Sequence, residues 1–130
     1  MKGRSMIIGM GIDVVDIDRF RNIVARRGDR FVERLFTKNE LDYCRNKADS
    51  VSSMAVRFAA KEAMIKALPG HIQSPFHWQD MEVYNDANGK PGVNIMGDLR
   101  SQIEPLKIHI TLTHSTAFAA AVIILEETEV

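Results

Sequence analysis

Four charged side chains, Arg57, Lys61, Glu62 and Lys66, stand in the segment RFAAKEAMIKAL among alanines and core-sized apolar residues. On a helix, Glu62 and Lys66 lie one turn apart and share a face with Phe58, while Arg57 and Lys61 have the same spacing one position round. A solvated face accounts for the pattern, with the Glu62–Lys66 pair contributing about 0.3–0.5 kcal/mol. The other reading is a site. In GIDVVDIDR, Asp13 follows a glycine-rich strand, where a carboxylate either caps a turn or binds something. Asp13 and Glu62 together offer two oxygen ligands, the set Mg²⁺ takes when a phosphate-bearing substrate completes its shell. The strand TLTHS ends in His114-Ser115, read either as a hydrogen-bonded edge pair or as part of the same site.

The elements that must position these residues are legible in outline. MIIGMGIDVVDI (Met6–Ile17) is a strand bent at Gly9 and Gly11. Asp16 and Asp18 cap a helix that turns Phe20, Ile23 and Val24 inward and stops at Gly28. Thr37 with Glu40 three residues on is a capping box for a short helix. DSVSSM offers caps for the long helix that carries RFAAKEAMIKAL, and Pro69-Gly70 ends it. GHIQSPFHWQD reads as loop, Asn88-Gly89 as the turn of a hairpin, and DLRSQIEPL as a brief helix. KIHITLTHS alternates as a half-buried strand, and the apolar run TAFAAAVIILEE predicts a last strand buried on both faces. The order β-α-α-α-β-β-α-β-β is α+β, with a long central helix packed on an antiparallel sheet.

At 130 residues the chain is one domain, 1–130, with the first five, MKGRS, an extension or remnant given no role. Lys plus Arg balances Asp plus Glu at 17 each, so net charge draws the molecule to no nucleic acid. The single Cys44 excludes an internal disulfide and a multi-cysteine zinc site, which suits a reducing cytoplasm. No apolar run reaches the roughly 18 residues of a membrane span.

Four segments in this order, GIDVVDIDRF, RFAAKEAMIKAL, DMEVYNDANGKPGV and ITLTHSTAFAAAVIIL, resemble the short bacterial holo-[acyl-carrier-protein] synthases of the 4′-phosphopantetheinyl transferase family. The resemblance runs from Met6 over nearly the whole chain, and departs from the usual pattern at Pro69 and at Thr111-Leu112-Thr113. It implies that fold, and transfer of the phosphopantetheine arm of coenzyme A to a serine of apo acyl carrier protein with release of 3′,5′-ADP. It further implies Mg²⁺ on Asp13 and Glu62, Lys66 on the transferring phosphate, and a homotrimer holding coenzyme A between subunits. Arg57, the turn Asn88-Gly89-Lys90-Pro91 and His114-Ser115 match residues around the nucleotide end of coenzyme A. The base that takes the serine proton stays open between Glu62 and a water.

From Arg19 to Arg34 six arginines face Asp29 and Glu33, an excess of six minus two, or four positive charges in a neutral chain. Arg19, Arg26 and Arg30 recur at roughly helical spacing, either as a solvated face or as a steering surface for an acidic macromolecule. The resemblance implies acyl carrier protein as that macromolecule, with Phe20 and Ile23 either supplying apolar contacts or belonging to the core. Two rival readings, a nucleic-acid-binding module and a Mg²⁺-dependent phosphohydrolase, use the same arginines and carboxylates. The neutral total and the lack of an aromatic stacking platform stand against the first.

Overall fold

The computed structural model describes residues 3–70, 72 and 76–128. Residues 1 and 2 of the leading extension, and most of the expected loop at 71–75, lie outside them. β1 (Ser5–Asp16) is followed by four helices, α1 (Ile17–Arg27), α2 (Asp29–Leu35), α3 (Lys38–Arg45) and α4 (Ser50–Ala67). The hairpin β2 (Met81–Asn85) and β3 (Pro91–Ile95) comes next, then α5 (Gly97–Ile103), β4 (Lys107–His114) and β5 (Phe118–Thr128). The fold is α+β, as expected, with one helix more than the sequence order gave. Gly28, at φ +76°, turns the chain where a side chain would strain, so RFVERL forms α2 instead of extending α1.

Local chemistry sets the helix starts. The Asp16 carboxylate accepts the Arg19 N–H at 3.0 Å, and the Asp49 carboxylate accepts the Ser52 N–H at 3.1 Å to open α4. Thr37 and Glu40 form the reciprocal capping box of α3.

β5 lies between β1 and β4 in an antiparallel sheet of order β1-β5-β4, and β2 and β3 pair separately. The inner face of the sheet, including Ala121, Ile123 and Leu125, is buried beneath α4. Ala63 and Ala67 bring the axis of α4 so close to β1 that a Cβ on Gly9 or Gly11 would strike their carbonyl oxygens. The alanines that slim this helix and the glycines that thin the strand are one contact, read from two sides.

The expectation that the last strand is buried on both faces does not hold in the single chain. Ala119, Ala121, Ile123 and Leu125 are buried, but the alternate residues are only half covered. On the same outer face Met10, Ile12 and Val14 of β1 are exposed, together with Phe118 at the start of β5. The continuous apolar run reflects an outer face that nothing in one copy covers.

Candidate active site

Asp13 points from the inner face of edge strand β1, two positions beyond Gly11, toward α4. Its Oδ1 accepts the Lys66 ammonium at 3.0 Å, and the same ammonium donates to the Ile12 carbonyl at 2.9 Å. The one-turn Glu62–Lys66 ion pair expected from spacing is replaced by this tertiary one. The flexible lysine stem reaches across to a carboxylate that is only 18% exposed, where an ion pair is less screened than along a wet helix face. Glu62 stands half-buried beside them. Its carboxyl is pushed above the usual carboxylate range, first by burial and then by the charge of Asp13, with Lys66 pulling it back. Asp13, Glu62 and Lys66 therefore converge, from a strand and a helix far apart in the chain.

Two half-buried carboxylates that repel each other suit a hard divalent cation. Among the described residues no cluster of three His, Cys, Asp or Glu side chains forms, so no cage of protein ligands surrounds the pair. Mg²⁺ is typically held in this manner, by one or two carboxylates, with water and substrate phosphate making up the rest.

The other two charges of the motif do not lie on a wet face. Lys61 is completely buried, and its ammonium donates to the Leu35 carbonyl, Glu40 Oε1 and the Trp78 carbonyl at 2.7, 2.7 and 2.8 Å. Burial pushes its pKa down, countered by Glu40. Glu40 also accepts the Thr37 and Val83 N–H groups, so its carboxylate joins α3, α4 and β2. Lys61 is thus a structural cation. Arg57, 3% exposed, lies on a different side of α4 from Glu62, since five residues rotate a helix by about 140° from a neighbour in register.

Arg57 reaches a groove of about 870 Å³ between α3, α4, the hairpin and the end of β4. Gly89, Pro91, His114 and Ser115 line it too, as does Asn85, which sequence reasoning missed. Asn85 was detectable, because it falls on the β2 face of the buried Met81 and Val83, an inward place for a polar residue. Asn88 and Lys90 are exposed at the hairpin tip and do not line the groove. Ser115 Oγ accepts the Ala117 and Phe118 N–H groups and so shapes the β4–β5 turn.

The groove and the carboxylate pair are not one site within one chain. Asp13 is on one edge strand and His114 is on the other, with β5 between them. The sequence-based set of residues is therefore split into two halves on opposite sides of α4.

Of the candidate partner surface, Arg19, Arg26 and Arg30 are exposed, the first two on α1 and the third on α2. Phe20 is a correction: it is 3% exposed and packs against Phe31 and Phe58 at ring-centroid distances of 6.4 and 5.3 Å, so it belongs to the core. Ile23 is half-buried. Arg21 is engaged with Asp49 through two hydrogen bonds.

The family model of the 4′-phosphopantetheinyl transferase superfamily matches residues 9–123. The chain belongs to this superfamily. Within it, the similarity is to holo-[acyl-carrier-protein] synthases. That of Geobacter metallireducens is 43% identical over 124 residues, covering 93% of this chain and 98% of its own. The crystal structure of the Bacillus anthracis synthase in complex with CoA (3′,5′-ADP) superposes with a TM-score of 0.78 at 32% identity, over 94% of this chain and 98% of that one. The Neisseria meningitidis synthase gives a TM-score of 0.83 at 27% identity, over 92% and 98%.

Proposed function

We propose that this protein is a Mg²⁺-dependent holo-[acyl-carrier-protein] synthase, which moves 4′-phosphopantetheine from coenzyme A to a serine of apo acyl carrier protein and releases 3′,5′-ADP. The observation that carries the reading is the convergence of Asp13, Glu62 and Lys66. Asp13 and Glu62 would hold the cation, which when bound supplies Lewis-acid polarisation of the diphosphate oxygens.

The residues of the chain do the rest. The serine oxygen bonds to the β-phosphorus as the bond from that phosphorus to the oxygen of the departing 3′,5′-ADP breaks. Charge flows toward the leaving group, and catalysis consists mainly of positioning and charge stabilisation. Lys66 follows the phosphate oxygens as a point charge on a flexible stem. The serine proton passes to Glu62 or to a water beside it. Arg57, His114 and Ser115 in the groove, with Asn88, Gly89, Lys90 and Pro91 of the hairpin turn, hold the nucleotide end. Arg19, Arg26 and Arg30 steer the acidic carrier protein, with Ile23 as an apolar contact beside them.

The division of the site into two halves supports a homotrimer. One coenzyme A molecule must reach both the carboxylate pair and the groove, which one chain offers on opposite sides of α4. A closed ring of copies joins the half-site of one to the complementary half of the next. The bare sheet face at Met10, Ile12, Val14 and Phe118 gives those copies an apolar surface to bury.

Mass spectrometry of apo acyl carrier protein incubated with coenzyme A tests the activity. A gain of one phosphopantetheine on serine, lost with a chelator, is expected; free phosphopantetheine and an unmodified carrier would select the phosphohydrolase. Mixing inactive Asp13→Ala and Arg57→Ala chains tests the shared site. Recovery of part of the activity is expected, and none if each chain works alone.

A further inference from the structure

We propose that Tyr43 and Asn85 are positioning residues, holding the Arg57 guanidinium at the groove by uncharged contacts so that its charge stays available to a phosphate at the nucleotide end of the substrate. The inference rests on the reading of this groove as the coenzyme A site.

An arginine that is 3% exposed ordinarily meets a carboxylate, because burying an unpaired charge is costly. Among the described residues none forms an ion pair with Arg57, and its buried Nε has no hydrogen-bond partner. Its direct contacts are with uncharged groups. The Tyr43 ring lies 4.1 Å from the guanidinium carbon, and Nη2 donates to Asn85 Oδ1 at 2.7 Å. The other end of the Asn85 amide donates to the Gly89 carbonyl at 3.0 Å, which fixes the oxygen toward Arg57 and ties it to the hairpin tip. The Lys47 ammonium sits 4.7 Å from the same Tyr43 ring and also lines the groove.

An aromatic face attracts a cation through its quadrupole and leaves the net charge in place, as does an amide oxygen. The one acid among the described groove-lining residues, Asp49, is occupied by both terminal nitrogens of Arg21 and by Ser52. The groove is therefore organised around a fixed cation with no acid bonded to it, which suits it to bind an anion.

The test compares Tyr43→Leu, Tyr43→Phe and Asn85→Asp in steady-state transfer from coenzyme A and from 3′-dephospho-coenzyme A, with calorimetric binding of 3′,5′-ADP alongside. Tyr43→Leu is expected to raise KM for coenzyme A about 3- to 30-fold with little change in kcat. Tyr43→Phe, which keeps the ring, restores the wild-type KM. Asn85→Asp supplies the missing carboxylate but loses the hydrogen bond to the Gly89 carbonyl, and it is expected to weaken 3′,5′-ADP binding by roughly tenfold. With 3′-dephospho-coenzyme A these penalties disappear. Equal penalties on both substrates, or an Asn85→Asp variant that binds 3′,5′-ADP as well as the wild type, overturn the proposal. Variants that show these effects on 3′,5′-ADP binding, beside a wild type that modifies no carrier protein, overturn only the proposed transferase activity.

Discussion

Lys66 Nζ lies 3.0 Å from Asp13 Oδ1, joining residues 53 apart in the chain, while Glu62, one turn away on the same helix, keeps a raised proton affinity beside them. The ammonium meets the carboxylate that lies across the helix–strand contact, leaving Glu62 half-buried and short of compensation. A divalent cation held between the two acids would relieve that repulsion.

Asp13→Ala or Glu62→Ala is expected to abolish Mg²⁺-dependent transfer. With Glu62 as a metal ligand, proton and metal would compete for its carboxylate, whose pKa is raised by burial and by Asp13. Metal affinity should therefore be full at alkaline pH and fall as pH drops through a value above the usual carboxylate range. Rate profiles at two Mg²⁺ concentrations check this: the acid limb should move to lower pH at the higher concentration. A limb that stays in place assigns the titration to another group.

Lys66→Ala should lower kcat by roughly 10- to 100-fold, the worth of a charge-assisted hydrogen bond, with a smaller change in KM for coenzyme A. Single-turnover rates separate the two. An effect confined to KM makes Lys66 a binder of the ground state only.

Lys61→Met removes one member of a buried pair and leaves Glu40 charged in the core. A loss of about 3–5 kcal/mol is expected, read as a lower urea midpoint at unchanged m. A variant as stable as the wild type would show that the Glu40–Lys61 contact is not what holds α3 to α4.

Raising ionic strength should raise KM for acyl carrier protein steeply and KM for coenzyme A less, since exposed charges are screened within about 10 Å at 0.1 M salt. Arg19→Ala should flatten that dependence. Equal slopes for the two substrates would move the docking surface elsewhere.

Much of this was legible in the sequence because it is written locally. The Thr37–Glu40 capping box, the Asp16 cap, the hairpin at Asn88-Gly89 and the stop of α4 before Pro69 each depend on residues within a few positions. The pairing of Asp13 with Glu62 was reached through residue chemistry and resemblance together. What escaped is tertiary. Lys61 is buried because Glu40, 21 residues earlier and already explained as a cap, has a second task that no spacing announces. Lys66 follows the same logic, trading a neighbour one turn away for Asp13. The outer face of β5 misled in the opposite direction, since a run of apolar residues cannot tell whether its cover comes from the same chain.

The meeting of Gly9 and Gly11 with the carbonyls of Ala67 and Ala63 decides how the geometry of the Asp13–Glu62 pair tolerates change. Main chain touches main chain there, with no side chain between to shrink, swell or swing. Core substitutions elsewhere can loosen the protein and lower its melting temperature while the gap between the two acids keeps its width. A single methyl group on either glycine, by contrast, would act as a shim and pry the strand carrying one acid from the helix carrying the other.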